Sequence, residues 1–164
     1  MFDPFEHRIS RDIRNELASH FLDLMTEGNR QKFDEKTAAL KKRAPDTDHI
    51  LFIDERLVGY QKVFQEGKGS GPFDIALLLW NHRLFFECHE WLEPLWLDAE
   101  GTIKKAIQGI IRTAGAHVLD EAGRQSGSQS SARKALILIQ THRADIPPQF
   151  NPEDLISSLE KLIG

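Results

Sequence analysis

Apolar residues recur along this chain at helical rather than strand spacing. Ile13, Leu17, Phe21, Leu24 and Met25 follow an i, i+4, i+8 rhythm, which predicts one buried helix face with Ser10 as its N-cap. Glu27-Gly28-Asn29 stops that helix. A more polar helix is predicted over 29–43, ended by Ala44-Pro45, because a residue before proline is pushed out of the α region. Asp46 or Asp48 caps a third, with Leu51, Leu57, Val58, Val63 and Phe64 as its apolar positions. Strand-like alternation is nearly absent.

The segment Gly67-Lys68-Gly69-Ser70-Gly71-Pro72 is the clearest break, four of its six positions being Gly or Pro. It lacks the Gly-Lys-Ser/Thr ending and the preceding strand of a phosphate loop, so it reads as a linker. Beyond it the pattern predicts short apolar helices over 73–80 and 84–97. A turn follows at Ala99-Glu100-Gly101, then a long helix from an N-cap at Thr102 to about Ala122. The Gly/Ser/Gln stretch 123–131 reads as an exposed, flexible loop. A helix over 132–142 is broken by Pro147-Pro148, and a last one runs from Pro152 to Leu162. No period near 34 residues supports a helical-repeat array. The expected fold is all-α, a compact bundle of antiparallel helix pairs with short loops. It divides into an N-terminal helical extension, 1–68, and a helix-hairpin domain, 72–164, which are free to pack as one unit.

Composition narrows the function classes. A chain of 164 residues, 40% hydrophobic, is long enough to bury a sizeable core. Its 21 basic and 25 acidic residues leave a net charge of −4, unsuited to a duplex-DNA binder that must neutralise phosphates. The basic run Arg30, Lys32, Lys36, Lys41, Lys42 and Arg43 is interrupted by Asp34 and Glu35 and reads as an exposed helix face. Nucleic acid is therefore not an expected partner. One cysteine, Cys88, excludes a disulfide within the chain and a cysteine-based zinc site, and points to a reducing cytoplasmic setting. No apolar run approaches the roughly 20 residues that span a bilayer, and the opening residues Asp3, Glu6 and Arg8 do not form a secretion signal. Neither membrane insertion nor export is expected.

The chemistry concentrates in residues 81–96. On a helix His89 and Glu93 are i, i+4 neighbours, and Glu90 and Glu93 are i, i+3 neighbours, with Phe86 and Trp96 on the same side. Glu87, Glu90, Glu93 and His89 fall within seven residues of a half-apolar helix. Buried carboxylates need compensation by an arginine, a metal ion or a shared proton. The next helix offers Gln108 and Arg112 as an i, i+4 pair able to face the cluster, with Gly109 and Gly115 permitting close approach. Two readings follow. In one, Glu93 is a catalytic base oriented by His89, and Glu87, Glu90, Trp96, Gln108 and Arg112 bind a small polar ligand or a divalent metal. In the other, the cluster is a structural network within a non-catalytic scaffold for a protein partner or a second copy of the chain. The spacing is neither the His-Glu-x-x-His of zinc proteases nor the Glu-x-x-His of di-iron bundles, so a metal would draw on further ligands such as His82 or His117. Cys88 reads as a core thiol. Trp91 faces the other way from Trp96, so an exposed Trp91 or Phe73 would mark an interface. Pro94 is expected to kink or restart the helix.

Leu79-Trp80-Asn81, Phe85-Phe86-Glu87-Cys88-His89-Glu90, Leu92-Glu93 and Trp96 resemble the signature of domain-of-unknown-function family 309. That family reads L-F-N-x-G-x-Y-F-E-A-H-E-x-L-E-x-x-W. Its following Gln-Gly-Leu-Ile-Gln run is similar to Gln108-Gly109-Ile110-Ile111 here. The resemblance covers 73–138 and implies a compact all-helical fold with no activity to carry over. The chain departs from the pattern at Arg83 in place of glycine, at Arg112 in place of the second glutamine, and at Pro94.

Overall fold

A computed structural model describes residues 1–164 and contains eight α-helices with no strand. The helices fall into two compact units, Met1–Lys68 and Gly69–Gly164. The first holds α1 (Arg8–Glu27), α2 (Arg30–Arg43) and α3 (Thr47–Glu66). The second holds α4 (Pro72–Asn81), α5 (Phe85–Asp98), α6 (Gly101–Glu121), α7 (Gln125–Thr141), a short 3-10 turn at Arg143–Asp145, and α8 (Pro152–Ile163).

Helix ends follow local chemistry. Gly28 closes α1 in the left-handed conformation, φ 72°, where a side chain would be strained. The Asn29 side chain then accepts from the Lys32 amide to start α2, and Asp46 accepts from the His49 amide to start α3. In the first unit Leu17, Phe21, Leu40, Ile53 and Tyr60 are buried, with Phe21 and Tyr60 stacked at 4.1 Å. In the second, α6 is central and packs against α5, α7 and α8, burying Ile107 and Ile110 with Leu92, Ile139 and Leu159.

Four local expectations are corrected. Ser10 is not an N-cap but lies inside α1, fully buried. The helix α6 starts at Gly101, so Glu100 rather than Thr102 precedes it. The helix α5 does not restart at Pro94 but continues through it, with Pro94 exposed. The stretch 125–131, expected as loop, is the first half of α7. Its small residues serve close packing: Ser128 and Ala132 are buried, Gly127 lies against Leu119, and the Ser131 hydroxyl donates to the Arg112 carbonyl at 3.3 Å. A composition that mimics a flexible loop is here a tight seam against α6.

Candidate functional site

His89, Glu90 and Glu93 converge on one face of α5. Helical spacing places Glu93 a turn beyond His89, and Glu90 beside it. The imidazole Nδ1 lies 3.3 Å from Glu90 Oε1, and Nε2 lies 3.8 Å from Glu93 Oε1. One ligand atom from each of the three residues falls within 4.8 Å of the other two. The ring packs over Gly115 of α6, where a Cβ would sit 3.9 Å from Cδ2. The cluster is not sealed: the side chains of His89, Glu90 and Glu93 are 29%, 38% and 49% exposed. The two carboxylates meet opposite nitrogens of the ring, so a cation shared by all three residues would take one nitrogen only; two ligands each about 2.1 Å from one tetrahedral ion sit about 3.4 Å apart, and the three donor atoms, within 4.8 Å of one another, would have to draw together around it. One nitrogen and two carboxylates suit Zn, Mn or Fe, and three protein ligands leave coordination positions open.

The other expected site residues lie elsewhere or stand apart. Glu87 is fully buried in α5, so solvent does not reach it. Trp96 continues the His89/Glu93 side of α5; its indole Nε1 is buried without a hydrogen-bond partner, and Lys104 lies over its ring at 5.0 Å. Gln108 and Arg112 are half-buried on α6, and no hydrogen bond or ion pair ties their side chains to His89 or Glu93. Of the further histidines suggested as ligands, neither His82 nor His117 joins the three-residue group. His117 Nε2 is 2.8 Å from Ser158 Oγ, and its ring stacks on Phe85 at 4.5 Å. Burial, reinforced by the Arg83 charge, holds its pKa below the usual histidine value against the opposing pull of Asp120.

Cys88 is fully buried, its thiol 3.5 Å from the Ala76 carbonyl. Burial and then the neighbouring Glu87 push its pKa far up, which makes it inert core. Trp91 is half-buried and donates to the Pro72 carbonyl at 2.8 Å; Phe73 is half-buried too. Arg30, Lys32, Lys36, Lys41 and Arg43 of the basic run each meet a carboxylate: Asp34, Glu27, Asp23, Asp54 and Glu16 respectively.

One constellation escaped the sequence. Ser10 Oγ is 2.9 Å from His49 Nε2, and His49 Nδ1 is 2.6 Å from Asp46 Oδ1. The order Ser-His-Asp matches a hydrolase relay, but Ser10 is fully buried and already accepts from the Asp3 amide at 3.2 Å. Phe2 packs edge-on to His49 at 5.2 Å and stacks on Phe52 at 3.9 Å. The relay therefore ties the N-terminal segment, α1 and α3 together. Its sequence signal was present: Ser10 continues the buried stripe of Ile13 and Leu17 by one more step of three residues.

Residues 73–131 match the family model described as Domain of unknown function (DUF309). The match spans α4, α5, α6 and the first turns of α7, and it includes His89, Glu90 and Glu93. No match was found among curated proteins or among solved structures.

Proposed function

We propose that the DUF309 domain at residues 73–131 binds a divalent transition-metal ion through His89, Glu90 and Glu93, and presents it to a small polar ligand. The observation that carries this reading is the convergence of three donor groups that remain solvent-connected. A purely structural network would be expected to be sealed and internally satisfied. Ligand oxygens or water would fill the open coordination positions. The buried thiol of Cys88 and the lack of any helix long and apolar enough to cross a membrane fit a cytoplasmic protein.

The test is calorimetric titration of the chelator-stripped full chain with Mn2+ and Zn2+, with elemental analysis of the product. The expected result is one ion per chain. His89→Ala and Glu93→Gln should each weaken it at least tenfold while leaving the helical circular-dichroism signal intact. Absence of saturable binding, or equal affinity in both variants, would leave the cluster as a surface hydrogen-bond group.

A further inference from the structure

The hairpin of α5 and α6 carries one cation that its own fold leaves unanswered. Only Ala99 and Glu100 join the two helices, so they run antiparallel, and two contacts fix their register. Near the turn Lys104 lies over the Trp96 ring at 5.0 Å, and further out a Cβ on Gly115 would sit 3.9 Å from His89 Cδ2. Between these contacts α5 carries Glu90 and Glu93, and α6 carries Gln108 and Arg112. Gln108, Arg112 and Gly115 recur at steps of four and three and so share one face of α6. All three are half-buried, while Ile107, Ile110, Ile111 and Ala114 turn to the core. The His89 ring lies over Gly115 and is reached by solvent, so its cluster and this face border the same outer side of the hairpin. Long helical side chains lean toward the N-terminus of their helix. Arg112 therefore leans away from Gly115, toward the level of Glu93.

The Arg112 carbonyl accepts from Ser131, but its guanidinium has no hydrogen bond, ion pair or ring contact. Every other arginine of the chain either meets a partner or, as with Arg11 and Arg133, is exposed. A guanidinium that has given up part of its water without a partner favours a bound anion. Charge sets the order of binding. Without a metal ion the carboxylates of Glu90 and Glu93 outnumber Arg112 and repel an anion. A divalent ion on His89, Glu90 and Glu93 cancels both carboxylates and leaves the Arg112 charge in excess. Lys104 does not compete, because its ammonium is held by the Leu97 carbonyl at 3.2 Å and by the Trp96 ring. A guanidinium matches a group with two oxygens on one centre, and a metal ion accepts one of those oxygens.

Resting on the metal reading above, we propose that the small polar ligand is an oxyanion, a carboxylate or a phosphate, which bridges the ion on α5 and the Arg112 guanidinium. The Gln108 amide is a further donor on the same face, and the anion binds only once the ion is in place.

The experiment is an NMR titration of the 15N-labelled full chain with acetate, methyl phosphate and the neutral acetamide, with Zn2+ and in chelator, after Zn2+ affinity has been read by calorimetry. Acetate or methyl phosphate should produce saturating shifts at the amides of Arg112 and Gly115 in the Zn2+-loaded chain, and the tighter of the two names the head group. That anion in chelator, and acetamide on the loaded chain, should each bind at least about tenfold more weakly. Arg112→Gln should weaken the anion about tenfold and hold Zn2+ affinity within about threefold, which also shows that the variant is folded. Lys134→Gln, at an exposed position on α7, should change neither. Zn2+ that binds while no anion saturates, acetamide that binds as tightly, anion binding as tight in chelator, or an unchanged anion affinity in Arg112→Gln would each overturn this inference and leave the metal reading standing. Failure of Zn2+ to bind would overturn both.

Discussion

At the scale of single residues, Ser10 contributes through its partners rather than its size. Its hydroxyl is the hydrogen-bond partner of His49 Nε2 and also receives the Asp3 amide. Ser10→Ala leaves that ring nitrogen buried in α3 without a partner, and a stranded buried polar group costs about 1–3 kcal/mol. Urea unfolding of Ser10→Ala should show a loss of that size; a change below about 0.5 kcal/mol would mean that the relay carries no stability. The same residue shows where sequence reading stops. A serine ahead of an apolar stripe has two uses, cap and buried strut, and the choice depends on a histidine 39 positions away. His89, Glu90 and Glu93 were legible because their proximity is set within a single helix. The unpartnered state of Arg112 was not, since only the packing of α6 against its neighbours decides which side chains meet.

At the scale of elements, helices are separated by what their glycines allow. A Cβ built on Gly109 would lie 2.8 Å from Ile139 Cδ1 and 3.2 Å from Leu138 Cβ, both on α7. One built on Gly115 meets nothing nearer than His89 Cδ2 at 3.9 Å, an ordinary contact. Gly109→Ala should therefore push α7 away and cost about 1–3 kcal/mol. Gly115→Ala should be neutral or stabilising by up to about 1 kcal/mol through helix propensity. Thermal unfolding of the two variants side by side checks the contrast, and equal Tm changes would contradict it. The sequence already suggested that both glycines permit close approach; it gave no means of telling which one a neighbour fills. The misreading of 125–131 has the same root. Gly127, Ser128 and Ser131 lower local helix propensity, and the tertiary seam with α6 overrides it. By contrast, the break at 67–72 and a cap at Asp46 or Asp48, which the structure assigns to Asp46, were readable because turn and cap chemistry is local.

At the scale of the whole molecule, acid should act on both units in the same pH window. His20 in the first unit and His117 in the second both have pKa values lowered below the ordinary 6.5, in each case chiefly by burial. Around His20, Glu16 and Asp23 oppose the shift while Lys36 and Arg43 add to it; around His117, Arg83 adds and Asp120 opposes. A histidine with a depressed folded-state pKa binds its proton more readily when unfolded. Its contribution is therefore fully present above about pH 6.5 and lost as pH falls from there through the folded value. Asp46, whose carboxyl is held low chiefly by its hydrogen bond from His49, acts in the same direction but only below about pH 4. The two windows are thus separable. Tm measured at constant ionic strength should decline between pH 7 and pH 5, before the carboxylates titrate. The doubly substituted His20→Gln, His117→Gln chain should start less stable, since the Ser158 bond is lost, and show a shallower decline over that range. A flat wild-type profile between pH 7 and pH 5, or an unchanged slope in the double variant, would assign acid sensitivity to other groups.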